Sequence, residues 1–451
     1  MSLRFYITFL GLICGSIATL AQQLPRRGSL GIEAVQAPDS LLKALRAIET
    51  KGIWVKNVKP QSTAAALGIQ ADDVLVAIND TDSLYLFDFQ QLDQNLKANE
   101  PISVTLLRGR RKSRVVGFVM PAPKETSLQS EVIYSELPFY RQYLRTIINK
   151  PASNGRFPAI LFMQDAPCTS IDFSKDTLHP IKQLVDGWAR AGFVVMRVER
   201  SGIGESVPGK AASRLTFQDD MLMFENAYQA IRQLQYVDSS SVFLFGQGTG
   251  ASMASILTTK TKQKPRGVMV FGAVVKPWFE YMIDVHRVHP LVFKESYQSI
   301  EVNTRMLTPL LYEWLVGGKT SSTLMENPDF EAILTSNENP LQYHNGTMMG
   351  RTASFFPDLN RQNLPQVWGQ VGVPTLAMHG EYDLKTVTPE AAQTIAQIVN
   401  ENKPQKGTYK LLKNTDHSLL KVSSFEESLK ARYPFFNSEI VETTVEWMKK
   451  Q

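Results

Sequence analysis

The chain has 451 residues, beyond the usual span of one domain, so two are expected. Hydrophobic residues at 43% and charged residues at 20% exclude an intrinsically disordered chain. The 48 Lys and Arg side chains nearly balance the 43 Asp and Glu, leaving +5 with no long basic run, so no nucleic-acid partner is expected.

The first predicted element is an export signal over residues 1–21. Arg4 gives a positive start, Phe5 to Leu20 is apolar, and Thr19-Leu20-Ala21 resembles a small-residue cleavage site. A secreted or periplasmic location follows, with no stable membrane span after cleavage, because the apolar run is at the short end of the roughly 17 to 25 residues a span needs. An uncleaved anchor is the alternative; lipidation at Cys14 is disfavoured because Ile13 before it is not small. With the signal gone only Cys168 remains, so neither an intrachain disulfide nor a cysteine metal cluster is expected. No motif calls for a metal or a cofactor.

From residue 28 to 119 short strand patterns dominate. Ser29–Ile32, Gly52–Val55, Asp73–Ile78 and Ile102–Leu107 cluster or alternate apolar residues, Ser62–Gly68 reads as a helical turn closed by glycine, and Asp88–Lys97 as an amphipathic helix. The segment "PQSTAAALGIQADDVLVAIND" at 60–80 resembles a PDZ domain, departing at Ala71 where glycine is usual. The resemblance puts Ser29, Leu30, Gly31 and Ile32 at the loop whose N–H groups hold a protein C-terminus while the peptide adds as a strand. A docking domain that binds no free peptide is the alternative.

Pro121-Ala122-Pro123-Lys124 breaks the pattern, giving a linker at 120–130 and a second domain over 131–451. Tyr143–Asn149 and Phe157–Met163, separated by "KPASNGR", suggest a hairpin. Helices and strands then alternate: helix Pro180–Ala191, strand Phe193–Val198, helix Gln218–Leu234, strand Val242–Phe245, a helix after Gly250, and strands Val268–Phe271 and Pro374–Met378. This is an α/β class pattern, a mostly parallel sheet with helices on both faces. Between about 276 and 370 the alternation stops, which suggests a helical lid. Its aromatics Trp278, Tyr281, Phe293, Tyr297, Tyr312, Trp314 and Phe330 are divided between the lid's own core and an apolar ligand pocket.

Four motifs in this domain, "FVVMRVERSGIGES", "SVFLFGQGTGAS", "TLAMHGEYD" and "LLKNTDHSLL", together resemble the α/β-hydrolase family in its order of nucleophile, acid and histidine. The resemblance implies a carboxylic-ester hydrolase or a peptidase of the serine aminopeptidase type. It assigns Asp383 to orient the imidazole and His417 as general base and acid, with an oxyanion hole at Thr249 and Gln164 or Asp165. The nucleophile position holds Gly248, which keeps the sharp turn of G-x-S-x-G and has nothing to attack with. Loss of the serine costs on the order of 10⁶ in turnover. A catalytically impaired protein is therefore expected.

Alternatives remain open. Ser252, in G-x-S-x-A, is a substitute nucleophile, although it should already lie in the following helix. Thr249 fits less well because Gln247 is too bulky for a flanking position, Cys168 is a loop thiol near the hole, and His417 could activate water directly. A last alternative is a binding protein, with a small ester or peptide-like ligand in the lidded pocket and a protein terminus at the PDZ-like unit.

Overall fold

The computed structural model describes residues 24–47, 50–337, 339–430 and 435–451. The expected signal and Cys14 lie outside them. Among the described residues no helix is long and apolar enough to cross a membrane.

The front unit contains β1 (Ile32–Gln36), α1 (Asp39–Ala44), β2 (Ile53–Val58), α2 (Thr63–Ala66), β3 (Val74–Ile78), β4 (Thr81–Asp82), α3 (Leu86–Asn95), β5 (Pro101–Arg108) and β6 (Arg111–Phe118). Its antiparallel sheet runs β1-β2-β3-β5-β6, with β4 beside β3. Leu30, Ile53, Val55, Leu75, Ile78 and Val104 fill a core of its own. The expected strand at Ser29–Ile32 is instead mostly loop: Gly31 has φ 71°, and the strand begins at Ile32. The polar β6 and the short α1 lack the apolar clustering that marked the other elements.

Most of the expected linker is exposed, but Ala122 and Glu125 are buried. Glu125 forms a two-pronged ion pair with buried Arg197, at 3.0 and 2.9 Å.

The large domain begins with β7 (Ser130–Phe139), β8 (Gln142–Pro151) and β9 (Phe157–Met163), followed by α4 (Pro180–Arg190), β10 (Val194–Val198), α5 (Phe217–Gln233), β11 (Val237–Gln247), α6 (Thr249–Lys260) and β12 (Gly267–Phe271). The long insertion carries α7 (Trp278–Val292), α8 (Tyr297–Leu311), α9 (Ser321–Met325), α10 (Pro328–Leu334), the small hairpin β13 (Thr347–Met348) and β14 (Arg351–Thr352), α11 (Phe355–Asn360) and α12 (Leu364–Gln370). The chain closes with β15 (Thr375–Gly380), α13 (Glu390–Asn402), β16 (Gly407–Leu412), α14 (Phe425–Lys430) and α15 (Glu439–Lys449).

Eight strands form one sheet in the order β16-β15-β12-β11-β9-β10-β8-β7. The strands from β16 to β10 are mutually parallel, and β8 and β7 extend the sheet antiparallel. The expected hairpin between β8 and β9 is not formed, because the apolar strand β10 inserts between them. The real hairpin is β7–β8, and β7 escapes a hydrophobicity reading because its edge-strand sequence SEVIYSELPF is largely half-exposed.

Period-two alternation explains why the central strands read as continuous apolar runs. Leu161, Leu244, Val268 and Ala377 point to one face under α5, α6 and α13, while Ile160, Phe243, Met269 and Leu376 point to the other under α4 and α15. Of the residues expected in the lid, α11 and α12 pack on α5, α6 and α13, so they belong to the body; α7 to α10 form the cover.

Candidate active site

Strand β11 delivers the turn. Gly246 would place a Cβ 2.4 Å from the Gly250 carbonyl, and Gly250 would place one 2.1 Å from the Met163 carbonyl of β9. No side chain fits at either, so both glycines are required by close approach. Between them Gly248 has φ 55° and ψ −121°, a left-handed conformation strained for any other residue, and it caps the N-terminus of α6. The geometry is that of a sharp strand-to-helix turn with glycine at its centre.

The space above Gly248 is filled. A Cβ built there would lie 2.3 Å from the carboxyl carbon and Oδ1 of Asp165, which follows β9. Asp165 Oδ1 accepts hydrogen bonds from the backbone N–H of Thr249 (2.8 Å) and of Ala166 (2.7 Å), and from the Thr249 hydroxyl (3.1 Å). Two N–H groups thus converge on one oxygen, as in an oxyanion-binding arrangement, and here the oxygen belongs to the protein. One of the two amides is that of Thr249. The second amide is that of Ala166 rather than Gln164 or Asp165; the Gln164 side chain is turned away to the Val198 carbonyl (2.9 Å).

On the other side, Asp165 Oδ2 lies 2.9 Å from Lys385 Nζ and 3.7 Å from His417 Nε2. His417 Nδ1 is 2.8 Å from Asp383 Oδ2, while Asp383 Oδ1 accepts from the Lys385 and Thr386 amides at 2.8 and 2.9 Å. Asp383 and His417 therefore meet across 34 residues, with the imidazole between two carboxylates. Burial presses the His417 pKa down, but Asp383 and Asp165 outweigh it and hold it up at about 9. Burial likewise opposes ionisation of Asp165, yet Lys385, His417 and the Thr249 amide keep its pKa well below the usual carboxylate range.

A sequence profile for "Serine aminopeptidase, S33" matches residues 176–422, more than half of the chain. The chain belongs to this family. A PDZ domain profile matches residues 19–107. Over 110 residues the chain is 28% identical to the periplasmic serine endoprotease DegP of Salmonella typhimurium, a match covering 24% of this chain and 23% of that protein's length. Among solved structures, the chain resembles a hypothetical protein of Pseudomonas aeruginosa (13% identity, TM-score 0.44, covering 72% of this chain and 95% of that one). It also resembles the proline iminopeptidase of Mycobacterium smegmatis (13% identity, TM-score 0.43, covering 70% and 98%).

In this member of the serine aminopeptidase, S33, family Ser252 and Cys168 lie away from the imidazole's pocket, whereas Thr249 lines it with its hydroxyl on Asp165 Oδ1. Ser252 is buried within α6, its Oγ without a hydrogen-bond partner, and it does not line that pocket. The Cys168 thiol contacts the Gly350 carbonyl at 3.5 Å, and burial pushes its pKa up, away from the thiolate. The pocket is a cavity of about 510 Å³ between Gly248, Thr249, Asp165, His417 and the lid. Of the lid aromatics only Trp278 and Tyr281 reach it, joined by Met282, Val285 and Phe356. Trp314 is buried in the lid's packing with its indole N–H on the Ala353 carbonyl, and Tyr297 and Tyr312 face solvent.

Two arginines support this site from behind: Arg200 lies in the motif "FVVMRVERSGIGES", whereas Arg351 carried no sequence signal as part of it. Arg200 donates to the Asp165 and Pro167 carbonyls at 2.9 and 3.0 Å, and Arg351 to the Ala166 carbonyl at 3.0 Å. Both arginines share buried Asp220, at 2.9 and 3.1 Å, so the hole loop is clamped from behind. Lys385, two residues after Asp383, offered a faint clue by proximity alone.

The front unit repeats the pattern. At the predicted peptide-binding loop the Leu30 N–H donates to Asp93 Oδ1 at 2.6 Å, the Ser29 hydroxyl to Asp93 Oδ2 at 3.2 Å, and the Gly31 N–H to the Ser29 oxygen at 3.1 Å. Ile32 opens β1.

Proposed function

We propose that this protein is an exported α/β-hydrolase relative that has lost serine-type ester and peptide hydrolysis and acts by binding. A small ester or peptide-like ligand would occupy the lidded pocket, and a polypeptide terminus the PDZ-like unit. The observation that carries the reading is Asp165. Its carboxylate lies where a serine side chain would project and takes the N–H groups that would stabilise an oxyanion. Absence of the serine removes the attack, and occupation of the hole removes the electrostatic help that such sites retain without it. The imidazole is also unsuited to activating water, because a pKa of about 9 leaves it protonated at neutral pH.

A p-nitrophenyl ester panel tests this with the native protein, Gly248→Ser, Gly248→Ser/Asp165→Gly, Ser252→Ala and His417→Ala. The native protein, both alanine variants and Gly248→Ser are expected at background, the last because its new side chain meets Asp165. Opening the hole at the same time should raise turnover by roughly tenfold or more over native. Robust native turnover that disappears with His417→Ala overturns the proposal, and loss with Ser252→Ala would relocate the nucleophile.

A further inference from the structure

Strand β1 pairs only with β2, so its other edge is open among the described residues. Beside that edge, Ile32 and Ala34, two residues apart on β1, face Leu86, Phe89 and Asp93, which recur at helical spacing on α3. The groove between them opens into a cavity of about 930 Å³ whose far wall belongs to the hydrolase domain, including Lys175 and the loop from Gly202 to Pro208. An apolar groove alongside an unpaired strand edge accepts an extended chain as an added strand.

The end of the groove carries both an anion site and an internal anion. Asp93 holds the Leu30 N–H and the Ser29 hydroxyl, and Lys175 Nζ reaches the same Ser29 oxygen at 3.3 Å from the other domain. Lys175 remains partly open to solvent, and partial burial lowers its pKa in spite of Asp93 nearby.

We propose that this groove binds the C-terminal end of an extended polypeptide between the two domains, its terminal carboxylate displacing Asp93 from the Leu30 amide and pairing with Lys175. The inference rests on reading the front unit as a terminus-binding module, and adds to it an anchor supplied by the hydrolase domain and a resident competitor. A competitor that occupies the site lowers apparent affinity by the fraction of molecules in which the site is free. Removing Asp93 therefore strengthens binding, and removing Lys175 weakens it. An internal segment, lacking the carboxylate, is a poor ligand.

Fluorescence anisotropy on the full-length protein tests this with fluorescein-labelled octapeptides ending in Val, Leu or Phe, each as free acid and as C-terminal amide. The free acids are expected to bind about tenfold tighter than the amides, with Lys175→Gln losing about tenfold, Lys175→Arg losing little, and Asp93→Asn gaining several-fold. Asp93→Ser is a second variant at that position, and thermal melts establish that each is folded. Tighter binding of acids than amides with indifference to Lys175→Gln and both Asp93 variants overturns the inference and leaves the module reading standing, whereas equal binding of acids and amides overturns both. If neither the native protein nor the Asp93 variants bind any peptide, both fail.

Discussion

A histidine between two aspartates behaves differently from one between an aspartate and a serine. With a hydroxyl beside it the imidazole is free to take a proton. Here Asp165 and Asp383 face it from opposite sides, with Lys385 as the opposing cation, and the proton is retained with a pKa of about 9. A folded-state pKa above the unfolded value of about 6.5 means that the stabilisation is complete below that pH and is lost as pH rises through the folded pKa. The difference amounts to on the order of 3 kcal/mol. We therefore expect the urea midpoint to fall between about pH 6 and about pH 10, and the Asp165→Asn variant to show a smaller fall with a lower His417 pKa by NMR titration. A His417 resonance that titrates near 6.5 in the native protein would contradict this account. None of it was visible in "MQDAP", where Asp165 was named only for its amide, because its carboxylate meets the space above Gly248 and His417 only through contacts between distant strand ends.

At the scale of elements, the legible features were those whose signal is local. The strands β9 to β12 and β15 are continuous apolar runs because both faces of the sheet are covered, and Asp383 and His417 sit just beyond apolar strands in the expected order. Pairing was not legible: β10 separates β8 from β9, and no property of "KPASNGR" distinguishes a hairpin from a crossover. Nor was the balanced total charge informative about the β5–β6 turn, where Arg110, Arg111 and Lys112 are all exposed. The burial of Glu125 within the expected linker was not legible for a related reason. Pro121 and Pro123 signal a break in regular structure, but Glu125 just beyond them is buried on Arg197, whose Nη1 and Nη2 also donate to the Ile171 carbonyl and Asn149 Oδ1 at 2.8 and 3.0 Å. Removing one member of such a pair strands the other charge in the interior. Glu125→Ala should cost about 3–5 kcal/mol in urea unfolding, and Glu125→Leu combined with Arg197→Met should recover much of it. A cost under about 1 kcal/mol, the range of exposed pairs, would mean that water reaches Arg197.

For the whole molecule, the question is what fixes the PDZ-like unit against the hydrolase domain, since the proposed peptide site exists only while the two face each other. The stretch before β1 crosses the seam: Arg145 donates to the Leu24 carbonyl at 3.1 Å, and Arg26 donates to the Ala122 carbonyl at 2.9 Å with its guanidinium over the Tyr134 ring. Glu205 joins these parts. Its carboxylate lies 2.6 Å from Arg26 Nη1 and 2.7 Å from Arg145 Nε, and accepts the Arg27 N–H at 2.8 Å. Because Glu205 and Arg145 are both nearly inaccessible to solvent, the pairing is poorly screened, and neutralising its one acid leaves two guanidinium groups facing each other. Glu205→Ala is accordingly expected to separate the domains without unfolding either. The radius of gyration from small-angle scattering should rise, protease cleavage should appear between residues 119 and 130, and affinity for the free-acid peptides should fall with that of the amides unchanged. If scattering and proteolysis remain those of the native protein while thermal stability drops, Glu205 supports the hydrolase domain internally and the seam is held by the backbone contacts of residues 24–28.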